Sequence, residues 1–304
     1  MYLSRNSFHD SNRPIQSLAA SPLRRIPPGK FAFLLGVLAA LTSLGIAVPA
    51  FRNRQLFAAQ PDQKSTIHAQ AASPKNAAPH AKDVAFPFHV GETLDYRVTW
   101  AAFPTAASLE VTVPERRNLF GWPTWHFRAA LHTQNPVRKL FTIDDEFDSY
   151  ADAAALDTRQ YESYLDELGR TNNQVLHFVP VGQTSRAPAP DVRVLPGTRD
   201  PVSVLYALRA VDWLRTPEFH APLYDGRDTY QVSARLEAKN DAVTVAAGNF
   251  QACRIAVRLS RNGQQSQDIN FDLWLANNAA RTPVEFQAAL PFGNVRAELS
   301  AAPK

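Results

Sequence analysis

The densest group of side chains able to do chemistry is Asp144, Asp145, Glu146 and Asp148, with Asp152 close behind. Alternate residues of a strand share a face, so Asp144, Glu146 and Asp148 would stand together. There they could hold a hard cation such as calcium, or act as the paired carboxylates of an enzyme working on a surface polysaccharide. The run lacks the glycine turn and distal glutamate of an EF-hand loop, and the solvated face of a strand is the simpler reading. His126 and His132 fall on the polar face of one strand, with His177 and His220 elsewhere. No pair has metal or triad spacing, and surface histidines are expected. Ser203 has no Gly-x-Ser-x-Gly surroundings and reads as a helix-surface hydroxyl. The single Cys253 excludes an intrachain disulfide; it alternates with apolar residues, so a buried, unreactive thiol is expected. Neither a phosphate-cradling glycine loop nor a dinucleotide fingerprint occurs. With no catalytic constellation, the expectation is a protein that is not an enzyme and uses neither metal nor cofactor.

Binding is the other chemistry available. Inward strand positions carry Tyr96, Trp100, Trp125, Phe127, Phe271 and Phe286, six aromatics that could line a site for an apolar or amphipathic ligand or simply fill a core. They are placed by period-two alternation. Leu94, Tyr96, Val98 and Trp100 face one way while Thr93, Asp95, Arg97 and Thr99 face the other, as in an antiparallel strand with one wet side. The pattern returns in Leu109 to Val113, Trp125 to Leu131, Tyr230 to Leu236, Cys253 to Leu259, Ile269 to Leu275, Val284 to Leu290 and Val295 to Leu299. Asp225-Gly226, Ala247-Gly248-Asn249 and Asn262-Gly263 supply turns. Tyr150 to Asp157 reads as a short loop or helical turn, and the proline-rich Arg186 to Arg199 as a loop.

One helix interrupts the strands, at about residues 200–216. Asp200 is its N-cap and Pro201 its first residue. Its apolar face is so wide that only Ser203, Arg209 and Asp212 are polar before Arg215, so it should be buried. Many strands around one helix predict a mainly β fold, a curved antiparallel sheet or half-open barrel packed on that helix.

Charge divides the chain. Residues 1–85 carry ten Lys and Arg against three Asp, leaving 22 basic and 25 acidic residues of the 32 and 28 in all 304. The β-rich part therefore has no surplus to neutralise phosphates, and nucleic acid is not an expected partner. Residues 1–30 form a basic flank before Phe31 to Val48, eighteen residues without a charge. Such a run spans roughly 27 Å as a helix, close to the thickness of a bilayer's hydrocarbon core. Residues 31–50 are thus expected to be a transmembrane anchor or a signal sequence. The five preceding positive charges place residues 1–30 in the cytoplasm and the rest outside it; cleavage near Ala50 would release a secreted form. Residues 51–83, rich in Ala, Gln and Pro, read as a disordered linker, and 84–304 as the β-rich domain.

The β-rich part resembles the DUF3108 group of exported bacterial envelope proteins. The matching residues are Phe88-His89-Val90-Gly91-Glu92 with Leu94, Tyr96, Val98 and Trp100, then Asp200-Pro201-Val202-Ser203 with Leu205 to Arg209. Asp225-Gly226-Arg227 with Tyr230, Ala247-Gly248-Asn249-Phe250, Trp274-Leu275, Arg281-Thr282-Pro283-Val284 and Gly293 follow in order. Ala106-Ala107 departs from the pattern, where a glycine is more usual. The resemblance implies an exported β-rich domain without an assigned activity, so it transfers no catalytic residue. The inner membrane, a lipid or an envelope protein are the expected partners. A single-pass protein of the bacterial inner membrane with a periplasmic domain is the expected location.

Overall fold

The computed structural model describes residues 85–304 apart from 188–189, 262–263 and 291–292, with 264–268 described by backbone alone. The expected basic flank, membrane segment and linker (1–30, 31–50 and 51–83) lie outside the described residues.

Strands account for most of the rest. They are β1 (Thr93–Trp100), β2 (Phe103–Leu119), β3 (Trp122–Thr133), β4 (Asp144–Asp152), β5 (Thr158–Glu167), β6 (Arg170–Pro180) and β7 (Asp191–Val194). After the helix α1 (Pro201–Ala210) come β8 (Glu218–Tyr224), β9 (Thr229–Val245), β10 (Gly248–Arg261), β11 (Gln264–Ala276), β12 (Pro283–Leu290) and β13 (Gly293–Leu299). All belong to one sheet in the order β7-β6-β5-β4-β3-β2-β1-β13-β12-β11-β10-β9-β8. Two meanders are therefore joined where the first strand pairs the last, in a register that sets Tyr96 opposite Leu299 and Val98 opposite Ala297. Neighbours run antiparallel except β6 and β7, which are parallel.

The sheet curls until its ends nearly meet. Beyond β7 the chain runs on to Arg199, whose N–H donates to the Pro222 carbonyl at 3.0 Å and whose carbonyl accepts from the Tyr224 N–H at 2.9 Å. This short parallel bridge to β8 makes the sheet a nearly closed barrel and shields edges that would otherwise template pairing with another chain. The expected mainly β wall around one buried helix is what forms.

Local chemistry explains the helix. The Asp200 carboxylate accepts from the Val202 and Ser203 N–H groups at 2.7 and 2.9 Å, and the Ser203 hydroxyl takes the Asp200 N–H at 3.0 Å, a reciprocal capping box. Ser149 and Thr158 donate to the other carboxylate oxygen, both at 2.5 Å, which fixes the cap to β4 and β5. Ser203 is therefore fully buried; the expectation of a helix-surface hydroxyl is corrected, because the cap itself consumes it.

The helix is also shorter than the expected 200–216. Val211 is extended, the Trp213 indole N–H folds back onto the Leu208 carbonyl at 2.9 Å, and the Arg281 guanidinium covers the carbonyls of Arg209 and Ala210. These distant groups end the helix by satisfying its last carbonyls. Residues Pro201 to Arg209 are all buried, so the helix sits inside the barrel against β3, β4 and β8.

Two further local expectations change. β4 continues to Asp152 before turning, and the expected loop from Arg186 to Arg199 contains β7.

Candidate functional site

The interior is built on α1. The Tyr206 ring stacks on Phe127 of β3, centroids 3.7 Å apart and planes 8° from parallel. Phe88 meets both edge-on, at 5.0 Å from Tyr206 and 5.4 Å from Phe127, and lies 5.1 Å from Trp125. Arg116 covers the Trp125 ring at 4.6 Å. Beside this stack Arg209, 0% exposed, forms a two-pronged ion pair with Glu92, 3% exposed: Nη1 to Oε1 at 2.6 Å and Nη2 to Oε2 at 2.9 Å. Nη2 also donates to the carbonyls of Ala280 at 3.0 Å and Pro87 at 3.3 Å. One buried cation thus ties together the helix, the segment before β1 and the loop before β12.

The six expected inward aromatics divide. Trp125 and Phe127 pack against Phe88 and α1. Tyr96 is buried, its hydroxyl donating to the Pro283 carbonyl at 2.7 Å. Burial raises the Tyr96 phenol well above its ordinary range, the Arg209 charge opposing. Phe271 is buried on the β11 wall, while Phe286 and Trp100 are half-buried. Phe286 touches Tyr96 edge-on at 5.5 Å and Trp100 stacks on Phe103 at 5.5 Å. The six do not converge on one described pocket: two surround the helix and the others follow the wall formed by β1, β11 and β12.

The acidic run lies on β4. Asp144, Glu146 and Asp148 share the outer face as expected, and each meets an arginine. Arg138 grips Asp144 with both prongs at 2.8 and 2.7 Å, and His132 adds a contact at 2.9 Å. The Arg138 guanidinium, with His132, holds the Asp144 carboxyl down at about 2. Arg128 reaches Glu146 at 3.3 Å and donates through Nε to Asp148 at 2.9 Å. His126 Nε2 sits 2.5 Å from the same Asp148 oxygen, and its ring stacks on Tyr150 at 4.5 Å. Burial raises the Asp148 carboxyl, but the His126 and Arg128 hydrogen bonds outweigh it and leave it below the ordinary range. Glu162 accepts from Gln160 and Tyr164. These acids already carry cations or donors, and among the described residues no three His, Cys, Asp or Glu converge as metal ligands would. The arrangement cross-links β3, β4 and β5.

His126 and His177, each 6% exposed, are not surface histidines. The first is buried by Tyr150 and Asp148. The second lies under Phe120, centroids 5.4 Å apart, with Nδ1 3.3 Å from the Pro190 carbonyl. His132 and His220 are outward, paired with Asp144 and Ser233. Cys253 is buried as expected, and burial raises its thiol.

Two inward acids were not singled out as interior groups by the sequence. Asp145 points into the wall at 3% exposure and accepts the Asp166 N–H at 3.0 Å. Burial, reinforced by the Glu167 charge, lifts its carboxyl to about 7. Asp225 closes the β8–β9 turn, one oxygen accepting from the Arg227 and Asp228 N–H groups at 2.7 and 2.6 Å. Burial lifts it to about 6. Period two could have assigned Asp145 to the face opposite Asp144.

Solved structures match the chain at low identity. A β-barrel-like protein of the DUF1849 domain from Brucella abortus is 11% identical, with a TM-score of 0.42, over 70% of this chain and 96% of its own. A protein from Parabacteroides distasonis, provisionally described as a lipoprotein, is 11% identical with a TM-score of 0.35, over 72% and 97%. An exported protein with a YmcC-like fold from Bacteroides fragilis, its description equally provisional, is 11% identical with a TM-score of 0.27, over 72% and 98%. No curated protein matches the chain. A family model does, across residues 95–300, and the chain therefore belongs to DUF3108, a family of proteins of unknown function.

Proposed function

We propose that this chain is a non-enzymatic protein of the bacterial cell envelope, anchored in the inner membrane by residues 31–50. Its barrel-like domain, on the periplasmic side, is a plugged body that meets an envelope partner through its outer surface. The observation that carries this reading is the occupied interior. Between β3, β4 and β8 the space is taken by α1 and Phe88, and the Glu92–Arg209 pair pins both. A carrier with its lumen in this half would have to expel a covalently attached helix and separate a buried ion pair, at a cost of several kcal/mol.

A second reading rests on Trp100 and Phe286, which remain half-buried on the inner face of β1 and β12. They would offer an acyl chain a shallow apolar seat.

Native mass spectrometry on the full chain purified from membranes, with displacement of a fluorescent fatty acid, separates the two. The plugged-body reading expects the mass of the bare chain and no saturable probe binding. A retained lipid, or saturable binding weakened by Phe286→Ala, replaces it with the second. Alkaline extraction of membranes and N-terminal sequencing test the anchor: a soluble chain beginning at Phe51 would mean a cleaved signal.

A further inference from the structure

We infer that the cleft between the β2–β3 hairpin tip and the 181–187 loop binds a phosphate-bearing group. It is a surface opening of about 40 Å³, lined among others by Phe120, Trp122, Arg159, His177, Thr184 and Arg186, roomy enough for a small oxyanion in place of water. Its core is an indole held between two cations: the Arg159 guanidinium lies 4.3 Å and that of Arg186 4.7 Å from the Trp122 ring centre. Two like charges on one ring repel unless anions compensate them. Asp152 compensates Arg159, with Oδ2 3.0 Å from Nη2. Arg186 has no acidic partner among the described residues, and the nearby Asp191 accepts from Ser185 at 2.9 Å.

A phosphate has several acceptor oxygens and one or two negative charges, and guanidinium groups match its geometry with paired N–H donors. It would neutralise Arg186. The hairpin tip is preset for this. Phe120 and Gly121 both hold positive φ, 51° and 86°, a primed turn that lays Phe120 against His177 and brings the Gly121 Cα side close to Arg186. Phe120 is 40% exposed, so apolar surface borders the charged cleft. Free phosphate and the headgroup of a phospholipid share the recognised chemistry.

Isothermal titration of the detergent-purified full chain tests this, at fixed ionic strength, with sodium phosphate in one arm and dihexanoylphosphatidic acid below micelle formation in the other. Saturable binding in at least one arm is expected. Arg186→Ala should weaken it by about tenfold or more, as for loss of a charge-assisted contact, while Arg186→Lys should retain part of it. Equal affinity in both arms identifies phosphate itself as the ligand. Tighter binding of the lipid, reduced by Phe120→Ser, identifies a headgroup. No saturable heat in either arm at millimolar ligand, or unchanged affinity in Arg186→Ala, overturns the inference. An outcome of either kind leaves the plugged-body reading to its own test, since the cleft lies outside the barrel.

Discussion

Replacing Glu92 by Gln should destabilise the barrel out of proportion to the small change in shape. Arg209 is 0% exposed and carries two short bonds to the Glu92 carboxylate. Without that charge, its guanidinium keeps the carbonyls of Ala280 and Pro87 but is a cation in a low-dielectric interior with no anion. Removing one partner of a buried ion pair costs about 3–5 kcal/mol, and Arg209→Met should cost a similar amount because it strands the carboxylate. Replacing both, as Glu92→Gln with Arg209→Met, removes the uncompensated charge along with the pair and should return most of the loss. The two bare carbonyls would hold back a few kcal/mol at most. For a domain of this size each kcal/mol moves the melting temperature by about 2–4 °C, so the single variants should melt roughly 6–20 °C below the parent and the double variant well above either. Thermal melts followed by tryptophan fluorescence on all four proteins give the coupling directly. If the single variants melt within about 2 °C of the parent, or if the double variant loses the sum of the two, the pair is not the buried coupled lock described above.

Asp145 has a folded-state pKa of about 7 against an ordinary 3.8. The folded chain therefore keeps a proton that the unfolded chain has released, and stability should fall as pH rises from about 4 to 7, then level off. Asp145→Asn, which can still accept the Asp166 N–H, should flatten that slope and gain on the order of 2–4 kcal/mol above pH 7; urea titrations giving parallel pH profiles for variant and parent would count against it. Leu208 is 1% exposed on the buried helix, and Leu208→Asp should cost several kcal/mol, of the order of a domain's whole stability. An unchanged melting temperature would place that side chain in solvent.

The strands were legible because most have one wet face, so Tyr96, Phe127 and Phe286 declare their side by alternation alone. Asp200 marks the helix start because a cap acts within three residues of its own position. The helix end was not legible, since Arg281 and Trp213 set it through contacts made only after folding. β7 was hidden for a related reason: its four residues pair in parallel with β6 across a proline-rich segment. Alternation also assigns a face without saying what covers it. His126 was correctly placed on the polar face, yet Tyr150 and Asp148 bury it there. Arg209 looked like the polar edge of a helix and proved to be fully enclosed, because its anion is 117 positions away.

The pairing of β1 with β13 has a temporal side. A chain made from its N-terminus can zip β1 to β6 hairpin by hairpin as each strand arrives, but one edge of β1 stays open until residues 293–299 exist, about 200 positions later. Non-local closure of this kind is slow, and an open edge in the meantime invites pairing with neighbouring chains. The final strand is thus a latch: the middle of the sheet is completed last, and the waiting interval is when this protein most needs protection from its own copies.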